Sequence, residues 1–249
     1  NAQPAIMAAS LATFRALEER AGTGGLPIPA FMAGHSLGEY TAIAVSGALG
    51  VGDTARLVQE RGRLMQIACE MTPGTMAAII GLDHMAVEEI SRQTGTYVSN
   101  VNTGEQVVIS GEVLAVARAL DMASARGAKK AIPLRVGGAF HSSLMKPARD
   151  GLAKVVGDLD MQDPSVPIVA NMTGSPIQTV AELREELVTQ VCECVQWKRS
   201  VEYMIGSGVT EFVEIGPGRA LSGMIKRIDR SVGTTAVGNL DSVSSFSFN

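Results

Sequence analysis

The chain has 249 residues, of which 46% are hydrophobic, and it carries a formal net charge of −4. This length supports one sizeable core, or one large domain with a smaller domain attached, whereas the negative charge argues against a nucleic-acid interface built on a basic surface. The 3 cysteines favour a reducing cytoplasm over a disulfide scaffold, Cys192 and Cys194 lack the neighbours of a metal site, and no apolar run approaches the ~20 residues of a membrane-spanning helix.

The first part of the chain alternates between helix and strand. Hydrophobic spacing predicts an amphipathic helix over 4–20, a short buried strand in "PAFMAG" and an apolar helix over 37–49. A further helix follows, with Asp53 as its expected N-cap, and ends before Pro73. A strand followed by a helix is the order found in parallel sheets, so we expect a parallel sheet in this part of the fold.

The segment 75–136 has a different order of elements. Strands are predicted in "TMAAIIGL", "TYVSNVN", "QVVISG" and "KKAIPLRV", with helices in "HMAVEEISRQ" and "EVLAVARALDMASARG". The resulting β-α-β-β-α-β order is the split pattern of a ferredoxin-like unit. We therefore predict a ferredoxin-like subdomain over 75–136, inserted into a larger α/β domain made of 1–74 and 137–249.

After this insert, the alternation of helix and strand resumes and completes the larger domain. Helices are predicted over 143–160, 180–194 and 219–228, and strands are predicted in "VPIVANM" and "EFVEIG". The Ser-rich end of the chain, "SVSSFSFN", predicts a disordered tail.

The sequence "AGHSLGEY" places a G-x-S-x-G motif between the first predicted strand and the helix that follows it. A serine at such a strand-to-helix turn has a strained backbone and an exposed hydroxyl, and the flanking glycines let neighbouring backbone pass closely. Ser36 is therefore a candidate nucleophile, and the N–H of Leu37 is a candidate oxyanion donor at the helix N-terminus. The alternative is a glycine-flanked helix start in which Ser36 is only an N-cap.

A serine nucleophile needs a base, and the chain contains 3 histidines. His35 lies within the turn, so we expect it to point away from Ser36 and to pack as a structural residue. His84 opens a predicted helix and is expected to be exposed. His141, in "RVGGAFHSSLM", lies where the insert returns to the larger domain and can face a cleft, so it is the favoured base; the alternative is a buried loop histidine. A histidine this far from the C-terminus argues against an ordinary lipase or esterase.

Six segments, in this order, resemble the malonyl-CoA:acyl carrier protein transacylase family over about 3–239. They are "GHSLGEY", "ERGRLMQ", "VNTGEQVVISG", "GAFHSSLMKPA", "VQWKRSVEYM" and "EIGPGRAL". The resemblance implies an α/β-hydrolase-like core with a parallel sheet, together with the inserted ferredoxin-like subdomain. It also implies an acyltransferase that needs no cofactor.

The activity that the resemblance implies is a ping-pong transfer in fatty acid biosynthesis. Ser36 attacks the thioester of malonyl-CoA while His141 accepts its proton, CoA leaves, and the phosphopantetheine thiol of acyl carrier protein takes the malonyl group. In the family a backbone carbonyl, matched here to Gln190, orients the histidine in place of a carboxylate. Arg61, in "ERGRLMQ", matches the arginine that pairs with the malonyl carboxylate, a role that suits a bidentate cation; the alternative is a solvated helix arginine.

Two further substrate-binding residues are carried over from the resemblance. Asn102 matches a polar residue that the insert contributes to the cleft, although "NVNTG" also suits a simple turn. Phe140 resembles the aromatic residue that precedes the histidine in malonyl-selective members, whereas methylmalonyl-selective relatives tend to carry a smaller Ser. Exclusion of an α-methyl group by such a ring is worth only ~1–3 kcal/mol.

The implied partner, acyl carrier protein, is acidic. Two basic edges of the chain are candidate docking sites, and their residues are Arg126, Lys129, Lys130, Lys226 and Arg227. The alternative is that these charges are only solvated faces. We expect no nucleic-acid partner, no membrane partner and a monomer.

The chain departs from the family at its start. Family members begin with a strand and a "GQGSQ"-like loop whose glutamine supplies the second oxyanion N–H, and this chain has no such motif. We therefore expect it to be a fragment, since the loss of one oxyanion donor costs ~10²–10³ in rate. The alternatives are that another chain supplies the segment or that the activity of the protein is impaired. The alternative functions are a serine hydrolase or thioesterase, against which Arg61 argues, and an inactive fragment that binds carrier protein.

Overall fold

The computed structural model describes residues 2–247 of the chain as an α/β protein with mixed sheets. Its helices are α1 (Ala2–Ala21), α2 (Leu37–Val45), α3 (Val51–Met71), α4 (His84–Thr94), α5 (Val113–Ala125), α6 (Lys146–Gly157), α7 (Val180–Thr189), α8 (Trp197–Gly206), α9 (Ala220–Ile228) and α10 (Leu240–Ser245). Its strands are β1 (Met32–Ala33), β2 (Gly74–Ile80), β3 (Tyr97–Thr103), β4 (Gln106–Glu112), β5 (Lys130–Pro133), β6 (Ile168–Val169), β7 (Pro176–Ile177), β8 (Glu211–Ile215) and β9 (Gly233–Val237). Among the described residues, no helix has the length and apolar character that crossing a membrane requires.

Strands β2 to β5 form a 4-stranded antiparallel sheet in the order β3-β4-β2-β5, and α4 and α5 cover one of its faces. Ile79 of β2 and Ile109 of β4 pack beneath these helices with Ile90 of α4. Met76 and Ala78, the alternate residues of β2, face the other way because successive side chains of a strand point to opposite faces. The elements predicted over 75–136 are all present, in the predicted order.

The remaining strands form two smaller sheets instead of the single parallel sheet that we expected. β1 pairs in parallel with β6, and β6 pairs antiparallel with β7, whereas β8 and β9 form a separate parallel pair. The β1–β6 ladder consists only of Met32 opposite Ile168 and Ala33 opposite Val169. The main core lies beside this short ladder, where α2, α3, α6 and α7 bury their apolar sides, which include Ile43, Leu57, Leu152 and Leu187.

Several helix ends differ from the sequence predictions. Gly50, and not Asp53, is the N-cap of α3; Asp53 lies inside the first turn and accepts a hydrogen bond from Arg56. A carboxylate in the first turn interacts favourably with the helix dipole even when it is not the N-cap, so the two positions are hard to distinguish from sequence. α7 ends at Thr189 and not at 194, because 190–193 form tight turns in which the N–H of Cys192 donates to the carbonyl of Thr189.

The sequence predictions missed β7, α8, β9 and α10, and they placed the end of α2 four residues too late and the end of α6 three residues too late. The predicted disordered tail is wrong for 242–245, which lies within α10. Asn239 caps this helix by accepting from the N–H of Ser242, and the Ser242 hydroxyl accepts from the N–H of Asn239 in return. The last part of the predicted tail, 248–249, lies outside the described residues.

Candidate active site

Ser36 occupies the sharp turn between β1 and α2, with φ 51° and ψ −102°. Across 2–247, the non-glycine residues with a positive φ are Ser36 and His141, the latter at 56°. Gly34 has no room for a side chain, because a Cβ there would lie 1.9 Å from the carbonyl carbon of Gly38. The turn is therefore strained and tightly packed, which is typical of a turn that exposes a nucleophile.

The Ser36 hydroxyl lies 2.9 Å from Nε2 of His141. On the other side of the ring, Nδ1 lies 2.9 Å from the carbonyl oxygen of Gln190 and 3.1 Å from that of Glu193. These two acceptors assign the hydrogen to Nδ1, which leaves Nε2 able to accept the proton of Ser36. Burial, followed by the charge of Arg61, lowers the pKa of His141 to about 3, so the ring is neutral at physiological pH.

Arg61, on α3, is only 1% exposed. Its Nη2 donates to the Ser36 hydroxyl at 3.0 Å and to Oε1 of Gln190 at 3.1 Å, and its Nη1 donates to Oε1 of Gln3 at 2.6 Å. The guanidinium also lies 5.1 Å from the centroid of the Tyr40 ring. In the part of the chain that the structure describes, Arg61 forms no salt bridge with a carboxylate. A buried cation without an anion, next to a serine, is suited to an anionic ligand.

The N–H of Leu37 is free to act at the N-terminus of α2, because it donates to no acceptor in the described residues. It is therefore available to a negative charge that develops beside Ser36. The N–H of Ser36 itself is occupied, since it donates to Oδ1 of Asn171 at 2.7 Å. The described residues contain no group of His, Cys, Asp or Glu side chains that could hold a metal ion.

The other predicted site residues lie behind or beside this group. Asn102 is 4% exposed and belongs to β3, so it is not a simple turn residue; its Oδ1 lies 2.9 Å from Nε2 of His35. The His35 ring, as expected for a structural residue, also packs 5.8 Å from the ring of Trp197. Phe140 contacts both the main core and the face of the 4-stranded sheet that the helices leave uncovered. Asn102 therefore contacts the turn through His35.

Sequence reasoning missed four polar residues around the turn, namely Gln3, Glu39, Asn171 and Glu186. Gln3 contacts Arg61 and Asn171 contacts Ser36, as described above. Glu39 is 0% and Glu186 is 2% exposed, and burial is the main cause that raises the pKa of both carboxyls, that of Glu186 to about 7. A signal for Glu39 was present, because "LGEYTAIAV" places one acidic residue in an otherwise apolar helix.

The two basic edges approach the same turn, between β3 and β4. Lys129 forms an ion pair with Glu105 at 2.9 Å, and Nη1 of Arg227 lies 3.4 Å from Oε1 of Gln106. Arg126 and Lys130 are exposed, and Nη2 of Arg126 donates to Oε1 of Gln93 at 3.0 Å. The amine of Lys226 donates to the carbonyl of Val232. Lys129 and Arg227, one from each edge, therefore contact neighbouring residues at the β3–β4 turn.

Comparison with known proteins gives a consistent result. Residues 1–240 match the acyl transferase domain family. The malonyl CoA-acyl carrier protein transacylase of Bacillus subtilis is 39% identical over 248 residues, which are 98% of this chain and 77% of the relative. The transacylase of the same name from Escherichia coli K12 is 43% identical over 230 residues, which are 91% of this chain and 73% of the relative.

Solved structures of similar proteins have the same fold. A malonyl CoA-acyl carrier protein transacylase from Coxiella burnetii superposes with a TM-score of 0.92 at 37% identity, over 98% of this chain and 77% of that one. A malonyl-transacylase in complex with a type II PKS acyl-carrier protein gives a TM-score of 0.93 at 40% identity, over 98% of this chain and 79% of that one.

The two glycines of the motif differ, and alanine substitution separates them. A methyl group at Gly34 overlaps the backbone of Gly38, whereas a methyl group at Gly38 meets no atom within 4 Å. We expect Gly34→Ala to lower the free energy of unfolding by about 3 kcal/mol. We expect Gly38→Ala to raise it by up to about 1 kcal/mol, because Gly is unfavourable in a helix. Urea unfolding measures both values, and equal destabilisation by the two variants would contradict this geometry.

The pKa of His141 gives a second prediction. An ordinary histidine gains its proton near pH 6.5, but His141 has its pKa lowered to about 3, so its ring is expected to stay neutral from about pH 8 to about pH 5. Below about pH 6.5 the unfolded chain carries a proton on this residue that the folded protein lacks, so the contribution of His141 to the free energy of unfolding falls as the pH decreases towards about 3. Ring ¹⁵N shifts, assigned with His141→Gln, measure the titration; a midpoint near 6.5 would show that the ring is not held neutral.

Proposed function

The chain belongs to the acyl transferase domain family, and from this premise we propose that it transfers the malonyl group of malonyl-CoA to the phosphopantetheine thiol of acyl carrier protein. The observation that carries the proposal is the buried guanidinium of Arg61, which lies 3.0 Å from the Ser36 hydroxyl and has no carboxylate partner in the described residues. A malonyl group ends in a carboxylate, whereas a hydrolase of neutral esters has no use for this cation. The reaction supplies malonyl units to fatty acid synthesis.

In the first half-reaction, Ser36 Oγ attacks the thioester carbonyl carbon while Nε2 of His141 takes the hydroxyl proton across the 2.9 Å contact. The negative charge moves to the carbonyl oxygen, where the N–H of Leu37 donates a hydrogen bond. The C–S bond then breaks, the CoA sulfur takes the proton from His141, and a malonyl ester remains on Ser36.

In the second half-reaction, the phosphopantetheine thiol gives its proton to His141 and attacks the ester carbonyl. The C–O bond to Ser36 breaks, and Ser36 recovers the proton. The carbonyls of Gln190 and Glu193 stabilise the protonated ring in both half-reactions, in the role that a carboxylate has in other serine enzymes. The low pKa of His141 means that the ring holds the proton only transiently.

Arg61 binds the malonyl carboxylate through Nη1 and Nη2, in place of the amide oxygens of Gln3 and Gln190 that it now contacts. Phe140 narrows the site against an α-methyl group, a discrimination of ~1–3 kcal/mol. Asn102 supports the nucleophile turn through His35.

We assign an α/β-hydrolase-like fold to 1–74 together with 137–249, and a ferredoxin-like fold to 75–136. The position of Ser36 between β1 and α2 supports the first assignment. The strand order β3-β4-β2-β5, with two helices on one face, supports the second.

The proposed docking surface for acyl carrier protein is the basic surface beside the β3–β4 turn. It consists of Arg126, Lys129, Lys130, Lys226 and Arg227, and the contacts of Lys129 with Glu105 and of Arg227 with Gln106 support a single continuous patch. The partner's acidic surface is attracted to it in spite of the net charge of −4. We further propose that the protein acts as a cytoplasmic monomer.

Intact-protein mass after incubation with malonyl-CoA tests the proposed function. We expect a malonyl adduct on the unmodified chain, its transfer to added acyl carrier protein, and no adduct on Ser36→Ala. Ser124→Ala, which changes an exposed serine of α5, is the matched control and should acylate normally. A folded chain that forms no adduct would overturn the proposal, and an adduct that passes to water but not to carrier protein would indicate a hydrolase.

Removal of Arg61 tests the substrate assignment. We expect Arg61→Ala to lower malonyl transfer about 30-fold or more while acetyl transfer from acetyl-CoA is retained, because only the malonyl group has a carboxylate to bind. Arg63→Ala is the matched control, since Arg63 is exposed on the same helix and pairs with Glu60 at 2.6 Å. Rates for both acyl groups decide the question; equal losses would mean that Arg61 acts only on the structure of the site.

A further inference from the structure

Two side-chain amides hold the backbone of Ser36, one on each side. The N–H of Ser36 donates to Oδ1 of Asn171 at 2.7 Å, and its carbonyl accepts from Nε2 of Gln190 at 3.0 Å. Asn171 lies just after β6, and Gln190 lies just after α7, so the two amides come from distant parts of the chain. Together they fix the peptide groups on both sides of a residue that has a strained φ of 51°.

Both amides are oriented by one buried carboxyl, that of Glu39. Its Oε1 accepts from Nδ2 of Asn171 at 2.8 Å and from the N–H of the same residue at 2.8 Å. Its Oε2 accepts from Nε2 of Gln190 at 2.6 Å. An amide has one donor end and one acceptor end, so a carboxyl that takes the donor ends determines where the acceptor ends point.

The two acceptor ends then point at the reactive groups. Oδ1 of Asn171 faces the N–H of Ser36, and Oε1 of Gln190 faces Nη2 of Arg61 at 3.1 Å. The amide of Gln190 therefore lies between the buried cation of Arg61 and the buried carboxyl of Glu39, with its dipole aligned to both. Both oxygens of the Glu39 carboxyl accept hydrogen bonds in this geometry, whereas an amide in its place would have only one acceptor oxygen.

We propose that Glu39 is a positioning residue, which sets the orientation of Asn171 and Gln190 and through them holds the backbone of the Ser36 nucleophile in place. Glu39 contacts no substrate in this arrangement, so its contribution is to the rate of the acylation step and not to the binding of malonyl-CoA. This inference takes its substrate, malonyl-CoA, from the proposed function. The hydrogen bonds that support it lie around Ser36 and do not depend on the identity of the substrate.

Glu39→Gln tests this role with little change in shape. The new NH₂ group faces the donor end of either Asn171 or Gln190, so one of the two amides loses its orientation. We expect the acylation rate per competent site to fall about 10- to 100-fold with an unchanged KM for malonyl-CoA, since small displacements of reacting groups cost this much. Active-site titration with a fluorophosphonate gives the number of competent sites, so that a loss of folded protein is separated from a loss of rate.

Thr54→Val is the matched buried control. Thr54 is fully buried on α3, the helix that carries Arg61, and its hydroxyl donates to the carbonyls of Leu49 and Gly50, away from the hydrogen bonds around Ser36. We expect its per-site rate to stay within about threefold of the parent, because the amide orientations are retained. Equal losses in Glu39→Gln and Thr54→Val, or a parent-like rate in Glu39→Gln, would overturn the proposal.

If Glu39→Gln does not fold, Asn171→Ala tests one arm of the same arrangement with Glu39 intact. We expect its per-site rate to fall by about 10-fold at constant KM, and a parent-like rate would overturn the proposal. The rate of fluorophosphonate labelling, which needs Ser36 and its base but no malonyl group, is measured for every variant. A parent chain that labels but does not take malonyl would refute the proposed function, and the ratio of labelling rates between variants would still decide the role of Glu39.

Discussion

The strained backbone of Ser36 is the constraint on which the rest of the site depends. A positive φ costs an L-residue ~1–3 kcal/mol, so the surrounding structure has to hold it in place. Three features do so: the contact of Gly34 with the backbone of Gly38, the amide of Asn171 on the N–H of Ser36, and the amide of Gln190 on its carbonyl. The result is a hydroxyl that faces His141 and Arg61 without any rearrangement of the turn, which is the pre-organisation that nucleophilic catalysis needs.

The charges of the site are arranged so that the base stays neutral. The cation of Arg61 lies near His141 and, after burial, is the largest cause that lowers the pKa of the ring. The carboxyl of Glu39 is placed behind the turn, on the far side of the Gln190 amide, where it does not offset this effect on the ring. Two carbonyl oxygens orient Nδ1 without adding a negative charge. A carboxylate at that position would favour the protonated ring.

Local sequence patterns predicted the parts of this arrangement that local structure determines. The G-x-S-x-G spacing identified the turn at Ser36, and the order of elements over 75–136 identified the strands and helices of the antiparallel sheet. The contacts of Asn171 and Gln3 were not predictable in this way, because they join residues that are more than 50 positions apart. The prediction of one parallel sheet was wrong for a related reason. β1 and β6 are only two residues long each, and pairing between such short segments depends on tertiary contacts. Helix α8 could have been predicted from the sequence, because Trp197, Val201 and Met204 recur at helical spacing.

The insert and the catalytic base are mechanically connected through the loop that follows α7. This loop carries the two carbonyls that orient His141, and the N–H of His141 donates to the carbonyl of Val191 at 3.1 Å within it. Its far end is bonded to β3 of the insert, where the N–H of Val195 donates to Ser99 and the N–H of Val101 donates to Val195, each at 2.9 Å. A shift of the antiparallel sheet therefore moves the acceptors of Nδ1 relative to the ring. Because a hydrogen bond weakens steeply as its angle departs from linear, the sheet acts as a support for the base, although none of its strands supplies a residue that contacts Ser36.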